Sequence, residues 1–355
     1  MNKKINILLT DVNHPVTPRV TEILKNNKLL SIRIIGIDSS DENYGSLWVD
    51  KFYNVPNPES YEYIKKVLNI CIKEKVDIII PWTNIETLNI SKNINLFNKN
   101  KIKALTNNYL TNKILVDKGA FYEEIKKINI PIPRYKLVAN INELSKAIDC
   151  LGYPKNKVVI KPRQLSGGRG LFILSKKINL DTRNINHNLP KNALLEIFKV
   201  SKNKNNLNYL VMEYLSGEDF SVDTLCDNGK VISAIQRKRI SDLGGVSMVG
   251  ETVKDEKVDK IVRKIVKHFK INFNCNIQLR YRNLKNDKSL FVYDINPRIS
   301  GTIVANAYSG IDLLTDSIYQ LLKMTPNNNK KYSHVKMIRY WSEKYQQISK
   351  TKFFS

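Results

Sequence analysis

The most informative stretch of the sequence joins an apolar strand, a lysine and a glycine-rich turn. Residues 158–161 read Val-Val-Ile-Lys, and Ser-Gly-Gly-Arg-Gly follows at 166–170. Glycines let backbone amides approach a phosphate closely, and the side chains of Lys161 and Arg169 can neutralise its charge. An ordinary hairpin with a glycine turn has the same local pattern. Taken alone, the stretch leaves a phosphate loop and a plain hairpin as alternatives.

Two further segments place polar side chains at the ends of predicted strands. Residues 210–223 read as a strand, a short acidic break and a second strand. Later, Gln278 lies on one predicted strand, and Asp294, Asn296 and Arg298 lie at the end of the next. The chain thus presents, in order, a lysine with a glycine loop, an acidic hinge, and an amide and a carboxylate close to an arginine. A strand-end turn around Pro297 with a structural salt link is the alternative for the last segment.

At these residues the sequence resembles the ATP-grasp superfamily, most nearly the branch similar to the carbamoyl-phosphate synthase large subunit and to stand-alone carboxylate–amine ligases. The resemblance covers residues 1–325, and its specificity comes from the order and spacing of several motifs. It implies an N-terminal domain that binds no dinucleotide, followed by a grasp that holds ATP.

The resemblance implies a set of ATP-binding residues. Lys113 and Lys161 correspond to the two ATP lysines, and the loop at 166–170 corresponds to a mobile lid over the phosphates. The segment 213–215 corresponds to the hinge that reads adenine, and Glu218 to the acid that binds the ribose. The residues expected to bind the nucleotide are Lys113, Lys161, Ser166, Gly167, Gly168, Arg169, Glu213, Tyr214, Leu215 and Glu218.

The resemblance also implies a metal site and a set of catalytic arginines. Gln278, Asp294 and Asn296 match the metal positions, and Arg298 matches the arginine that supports the transferred phosphate or the acyl substrate. Two departures matter, because glutamate is common at position 294 and Gln278 is neutral. Mg²⁺ takes much of its oxygen coordination from phosphates and water, so one carboxylate suffices, but the number of metal ions stays open. The expected cofactors are ATP and Mg²⁺, with Mn²⁺ as a substitute.

Two arginines near the end of another predicted strand are further catalytic candidates. Arg237 and Arg239 share one face if side chains alternate along the strand. We expect that face to meet phosphate, and a solvated strand edge is the alternative. Glu86 has two interpretations as well, since it either faces a substrate or stabilises a helix N-terminus.

The implied reaction is an ATP- and Mg²⁺-dependent carboxylate–amine ligation through an acyl phosphate, which forms a carbon–nitrogen bond. Such chemistry needs positioned cations rather than a protein nucleophile. The alternatives are carbamoyl- or carboxy-phosphate chemistry and a grasp that binds nucleotide without turnover. The expected partners are small carboxylate and amine substrates, and a homodimer is compatible with the resemblance.

The elements that must position these residues read as an α/β protein. Over the first hundred residues, short apolar runs such as Ile5–Leu9 and Ile32–Ile37 alternate with helical patterns, which predicts a parallel sheet covered by helices. The first turn, residues 10–15, contains no glycine and excludes the dinucleotide fingerprint. The predicted fold is a parallel, Rossmann-like domain that precedes the grasp, followed by an ATP-grasp fold of two subdomains.

Four segments follow from this pattern. We predict an N-terminal domain at 1–108, a helical connector and lid subdomain at 109–208, a C-terminal grasp subdomain with the metal site at 209–330, and a tail at 331–355. The tail carries no readable motif.

Charge and composition narrow the class of protein. The chain has 355 residues, of which 58 are Lys or Arg and 33 are Asp or Glu, for a net charge of +25. The surplus is dispersed, so a solvated surface is favoured over nucleic-acid binding, and phosphate-bearing ligands are the expected anions. Four widely spaced cysteines argue against a zinc ribbon or a disulfide framework, and no apolar run approaches the ~20 residues of a membrane span. We expect a cytoplasmic protein without membrane contact.

Overall fold

A parallel sheet forms the N-terminal part of the protein. The computed structural model describes residues 2–164, 170–176, 187–200, 207–243, 245–282, 289–324 and 331–343. The first sheet has the order β3-β2-β1-β4-β5 and is parallel throughout. Its strands are β1 Lys3–Leu9, β2 Leu30–Asp38, β3 Lys51–Asn54, β4 Ile78–Ile80 and β5 Lys103–Ala104. The helices between them are α1 Thr17–Lys25, α2 Tyr63–Lys73, α3 Asn84–Lys92 and α4 Ile94–Lys99, with a 3-10 turn at Tyr44–Leu47.

Side chains that alternate along the parallel strands pack into two separate hydrophobic cores, one on each face of the first sheet. Ile7 and Leu9 pack on one face, while Leu8 and its neighbour Ile35 pack on the other beside α2. Strands buried on both faces read as continuous apolar runs, which is why the sequence identifies them.

Two helices lead into the second sheet. The connector contains α5 Tyr109–Val116 and α6 Lys118–Lys127. The sheet has the order β6-β10-β7-β8-β9. Its strands are β6 Tyr135–Val138, β7 Val158–Pro162, β8 Phe172–Leu174, β9 His187–Leu189 and β10 Tyr209–Glu213, and its helices are α7 Ile141–Cys150 and α8 Lys191–Val200.

A six-stranded antiparallel sheet forms the rest of the protein, in the order β15-β14-β11-β12-β13-β16. Its strands are β11 Asp219–Asp227, β12 Lys230–Leu243, β13 Val246–Val253, β14 Phe273–Tyr281, β15 Leu290–Asn296 and β16 Lys336–Ile338. The helices are α9 Glu256–His268, α10 Val304–Tyr308 and α11 Leu313–Leu322. Leu313 and Ile318 of α11 share a core with Ile7, which joins this part of the protein to the first sheet.

The predicted fold class is confirmed, and two details differ from the predicted segments. Strand β10 pairs with β6 and β7, so the second sheet continues to residue 213, beyond the predicted division at 208. Strand β16, in the predicted tail, pairs with β13 and extends the third sheet. None of the helices in the described ranges combines the length and apolar character needed to cross a membrane.

Candidate active site

A cavity of about 330 Å³ is lined by residues of the second and third sheets and by His14 of the first domain. Its described lining is rich in cations: Lys118, Lys161, Arg237, Arg239, Arg280, Arg298 and Arg339. The carboxylates in that lining are Asp219, Asp242 and Asp294. This excess of positive charge suits an anionic ligand.

Lys161 is the predicted lysine that the structure places in the cavity. It lies on β7 and is 7% exposed, and its Nζ donates to the carbonyl oxygen of Tyr293 at 2.7 Å. Burial lowers the pKa of Lys161 to about 8; Asp294 opposes this shift, and nearby Lys118 adds to it. A phosphate beside this ammonium group would restore its preference for the charged form.

Lys118, which no sequence motif identified, lines the cavity, whereas the predicted Lys113 does not. Lys113 is exposed on α5 and lies outside the lining, so its assignment as the first ATP lysine is corrected. Asp117 caps α6 by accepting from the backbone nitrogens of residues 119 and 120, and Lys118 is the first residue of that helix. The backbone nitrogen of Lys118 donates to the Arg163 carbonyl oxygen at 3.1 Å, and the Lys118 ammonium lies 3.8 Å from Oδ1 of Asp294.

The hinge after β10 contributes two of its three predicted residues to the cavity. Tyr214 and Leu215 line it, whereas Glu213 turns away. The Glu213 carboxylate accepts from the backbone nitrogen of Arg134 at 2.8 Å and pairs with the side chains of Arg134 and Arg282. A nucleotide-reading role for the Glu213 side chain is therefore corrected to a structural one.

Asp219 faces the cavity where Glu218 was expected. The Glu218 side chain is 54% exposed and pairs with Lys238 on the surface. Asp219, the first residue of β11, is buried, and its Oδ2 lies 2.8 Å from Nη2 of Arg280 and 3.4 Å from Nη1 of Arg239. At this entry into β11 the chain turns Asp219, and not Glu218, toward the cavity.

Tyr293 is a second cavity residue that the motifs did not reveal. Its hydroxyl donates to Oδ1 of Asp219 at 2.8 Å, and its ring lies 5.5 Å from Nζ of Lys161. Burial, and then the charge of Asp219, raise the pKa of Tyr293 well above its ordinary value. The residue stays a neutral phenol that supports both Lys161 and the acid. Strand alternation alone would turn Tyr293 away from Asp294, but a register shift between Gln278 and Leu279 leaves Tyr293 as an extra residue in β15, so both side chains line the cavity.

Arg237 is held by protein groups and is not a free cation. Its Nη1 donates to Oδ2 of Asp223 at 2.6 Å and to Oδ1 of Asn306 at 2.7 Å. Its Nη2 donates to the hydroxyls of Thr302 at 2.6 Å and Ser221 at 3.4 Å. We therefore correct its assignment as a catalytic arginine, because its guanidinium serves to order the cavity floor.

Arg239 and Arg298, which are predicted as catalytic, both line the cavity. Arg239 donates to the carbonyl oxygen of Gly245 at 3.0 Å and to the Tyr293 hydroxyl at 3.3 Å. Arg298 donates to the carbonyl oxygen of Ile299 at 2.7 Å, and its Nη2 lies 3.5 Å from Oδ1 of Asn296. Both guanidinium groups are thereby oriented by backbone carbonyl oxygens at the cavity wall.

The three predicted metal positions converge on the edge of the cavity. Gln278 pairs directly with Asp294 across β14 and β15, and Asn296 lies two residues further along β15. All three line the cavity. The described residues contain no group of three or more His, Cys, Asp or Glu side chains that could hold a metal ion by themselves.

A chain of hydrogen bonds fixes the orientation of the Gln278 amide. Asp223 can only accept, and it accepts from Nδ2 of Asn276 at 2.7 Å. The Oδ1 of Asn276 must then be an acceptor, and Nε2 of Gln278 donates to it at 3.2 Å. The oxygen of Gln278 is left as the amide atom turned to the cavity.

The donor set fits Mg²⁺. The oxygens come from Gln278, Asp294 and Asn296, which are the hard ligands that Mg²⁺ prefers, and a nucleotide phosphate would supply others. Asn84 of the first domain donates to Oδ1 of Asn296 at 3.1 Å and so holds the third ligand. The lysines beside Asp294 suit the same phosphate.

Two further predictions have different outcomes. Ser166, Gly167, Gly168 and Arg169 fall outside the described residues. Glu86 stabilises the start of α3: it forms a capping box with Thr83 and accepts from the Thr10 hydroxyl at 2.6 Å. Burial raises the pKa of Glu86, and the structure favours the helix-stabilising interpretation.

Three family models match successive parts of the chain. The model described as "PylC-like, N-terminal domain" matches residues 7–105. "Phosphoribosylglycinamide synthetase, ATP-grasp (A) domain" matches 118–273, and "ATP-grasp in the biosynthetic pathway with Ter operon" matches 205–344.

Curated relatives include carbamoyl phosphate synthase large chains. The chain is 24% identical over 263 residues to that of Clostridium acetobutylicum and 23% identical over 259 residues to that of Methanothermobacter thermautotrophicus. These matches cover 71% and 68% of this chain but 22% of each relative, so the chain spans about a fifth of their length.

Solved structures share the fold. Biotin carboxylase from Campylobacter jejuni superposes with a TM-score of 0.67 at 16% identity, covering 93% of this chain and 74% of that one. An L-amino acid ligase from Bacillus licheniformis gives 0.63 at 16% identity, covering 91% and 74%. The family models and the observed sheets therefore indicate the same fold. Two ATP-grasp domain models together match residues 118–344, so this chain carries an ATP-grasp fold of that superfamily, and it resembles carbamoyl phosphate synthase large chains.

Proposed function

We propose that this protein is an ATP- and Mg²⁺-dependent ligase that joins a carboxylate to an amine through an acyl phosphate. The observation that carries the proposal is the position of Asp294. Its carboxylate lies across from Gln278 and 3.8 Å from the Lys118 ammonium, and Lys161 and Arg298 line the same cavity. Oxygen ligands for a metal ion and cations for phosphates thus meet at one point.

The apolar half of the cavity supports a nucleotide base. Val159, Ile173, Met212 and Leu215 line the part of the cavity that adjoins the hinge. Flat apolar walls beside backbone hydrogen-bonding groups are typical of pockets for aromatic ligands. Asp219 lies next to this region and can accept from a ribose hydroxyl.

The reaction consists of two displacements. A carboxylate oxygen of the acid attacks the γ-phosphorus of ATP, the bond to the bridging oxygen breaks, and ADP leaves. The amine nitrogen then attacks the acyl carbon, phosphate departs, and the nitrogen loses a proton as the amide forms. Mg²⁺, when bound, neutralises phosphate charge during the first step.

The residues of this chain act by positioning and by electrostatics. Lys118, Lys161 and Arg298 would hold the phosphate oxygens while negative charge shifts to the leaving group. Fixed cations stabilise such a transition state because they need little reorganisation. Asp294 would hold the metal ion against the same oxygens.

Binding and turnover test the proposal separately. In a melting scan, ATP with Mg²⁺ at a hundredfold excess over Kd should stabilise the protein by about 2.7 kcal/mol. A panel of acids is then incubated with ATP, Mg²⁺ and hydroxylamine, which converts acyl phosphates into hydroxamates. Acid-dependent ADP and hydroxamate, in equal amounts, are the expected result.

Each alternative has its own outcome. ADP formation that depends on bicarbonate and yields no hydroxamate would indicate carboxy-phosphate chemistry. Nucleotide binding without ADP formation for any acid would indicate a grasp without turnover. A melting temperature that ATP and Mg²⁺ leave unchanged would exclude the nucleotide site itself.

A further inference from the structure

Arg339 brings the C-terminal segment into the cavity. Strand β16 pairs with β13, and Arg339 follows directly, with its backbone nitrogen donating to the carbonyl oxygen of Met248 at 2.8 Å. Its Nη2 reaches across to the carbonyl oxygen of Gly301 at 2.8 Å. A segment with no recognisable motif therefore supplies a cation to the cavity lining.

Arg339 lies among the described residues without an acidic partner. Asp219 pairs with Arg239 and Arg280, Asp294 lies near Lys118, and no ion pair to Arg339 occurs within the described ranges. Burial lowers the pKa of Arg339, and the neighbouring Tyr44 only partly opposes this. The Gly301 carbonyl oxygen satisfies one donor of this half-buried guanidinium, but no carboxylate in the described ranges neutralises its charge, so this position favours an anion.

We give the name distal compartment to four residues of the cavity lining: Arg339, Gly301, which it contacts, His14, which lies beside Gly301, and Arg298. His14 comes from the loop after β1, and its ring packs against Trp82 with centroids 5.8 Å apart. A Cβ atom on Gly301 would lie 2.8 Å from Cε1 of His14, so the glycine lets the ring close the compartment. The side chains that line the compartment are thus polar or cationic.

The metal positions and the distal compartment are adjacent but distinct. Nη2 of Arg298 lies 3.5 Å from Oδ1 of the metal position Asn296. Arg339 instead donates to the carbonyl oxygen of Gly301, which lies three residues after Arg298 in the sequence. A carboxylate that attacks the γ-phosphate must lie at the Asn296 end. Arg339 is therefore placed for a second group on the same molecule.

We propose that the distal compartment binds a second anionic group of the acid substrate through Arg339, so that the acid is doubly anionic. This inference rests on the proposed function and narrows its substrate class. The second group is a carboxylate or a phosphate-like group, since both present paired oxygens to a guanidinium. Monocarboxylic acids of the same length leave Arg339 uncompensated.

Three probes of similar length test the proposal: succinate, 3-phosphonopropionate and butyrate. Each is titrated by calorimetry into the full chain saturated with ADP and Mg²⁺. We expect succinate or 3-phosphonopropionate to bind at least about tenfold more tightly than butyrate, and the stronger of the two identifies the second group. In the hydroxamate assay, the same acid should show the higher kcat/KM.

Variants at Arg339 separate its role from a general effect on folding. Arg339→Met should remove the preference for the doubly anionic acid and leave butyrate binding unchanged, while Arg339→Lys should retain part of the preference. Arg263→Met, on the exposed face of α9, is the matched control and should behave like the wild type. The stabilisation by ADP and Mg²⁺ shows whether each variant is folded.

The outcomes distinguish this inference from the proposed function. If ADP and Mg²⁺ bind but the three acids bind equally or not at all, the second-anion proposal is wrong and the nucleotide site stands. An acid preference that survives in Arg339→Met also overturns it. If ADP and Mg²⁺ fail to bind the wild-type protein, the proposed function itself fails.

Discussion

Asp223 and Arg237 face each other on neighbouring strands, with Oδ2 and Nη1 2.6 Å apart and side chains only 2% and 3% exposed. The same carboxylate accepts from Asn276, and through it sets the direction of the Gln278 amide. The buried pair thus connects the stability of the third sheet to the geometry of the metal positions.

Removal of one member of this pair should be expensive. Arg237→Met leaves the Asp223 carboxylate buried without its counter-ion, and we expect a loss of about 3–5 kcal/mol in the free energy of unfolding. Urea denaturation measures the loss. The control is Arg263→Met, which breaks an exposed pair with Asp259 and should cost under about 1 kcal/mol. Equal costs for the two variants would contradict the buried-pair interpretation.

Nucleotide binding should be coupled to proton uptake at Lys161. Burial lowers the pKa of Lys161 to about 8, so part of the free protein carries a neutral amine at pH 8.5. A bound phosphate favours the ammonium form, and the affinity for ATP and Mg²⁺ should fall as the pH rises above 8. Calorimetry in two buffers of different ionisation enthalpy measures the uptake. Lys161→Met should abolish it and Lys113→Met should not.

The lowered pKa of Lys161 should also make the free energy of unfolding depend on pH. Because the folded pKa of Lys161 lies below that of the unfolded chain, the unfolded state binds more protons between about pH 8 and pH 10.5. The contribution of this residue to stability therefore increases with pH across that range. Comparing urea unfolding of wild type and Lys161→Met at several pH values should isolate an increment that rises in the wild type alone. A parallel pH dependence of the two proteins would argue against the shifted pKa.

Lys118 rather than Lys113 should carry affinity for phosphate. Loss of one charge-assisted hydrogen bond costs about 1.5–3 kcal/mol, so Lys118→Met should weaken ATP binding by at least about tenfold. Lys113→Met, on the exposed side of α5, should leave Kd within about twofold. Titration with ATP and Mg²⁺ measures both. The reverse order would restore the assignment made from the sequence.

Asp294 and Arg298 should matter mainly for the rate. Asp294→Asn removes the carboxylate at the metal positions, and Arg298→Ala removes a cation beside them. Each should lower kcat by about 10²–10³, the usual cost of one preorganised electrostatic contact. ATP affinity should fall less in Arg298→Ala, because the hinge contacts remain. Near-normal kcat in both folded variants would assign these residues a structural role.

The buried elements were predictable from the sequence, and the edge elements were not. The apolar runs at 5–9 and 158–161 lie in β1 and β7, because apolar runs reveal buried strands. Strands β13 and β16 are mostly half-buried or exposed and were missed. Their pairing is decided by partners distant in the sequence, which local patterns do not encode.

The site was predictable where a motif fixes the strand and the face. Gln278, Asp294, Asn296 and Arg298 reach the cavity because strand register determines where they lie. The choice of Lys113 failed because a tertiary contact between Lys118 and Arg163 brings the start of α6 to β7. The Asp117 cap was the signal that the sequence offered for that helix start. The local sequence does not distinguish Glu218 from Asp219, because the start of β11 determines which of the two acids faces the cavity.

Gly301 and His14 are 287 positions apart in the sequence, yet the His14 ring packs against Gly301 because this residue has no side chain. A side chain at 301 would displace the ring, whose Cε1 lies 2.8 Å from the Cβ position. We therefore expect the effects of substitutions at the two positions to depend on each other. In relatives that close the compartment in the same way, a larger residue at position 301 should accompany a smaller one at position 14. A change in acid specificity should then require substitutions at both positions.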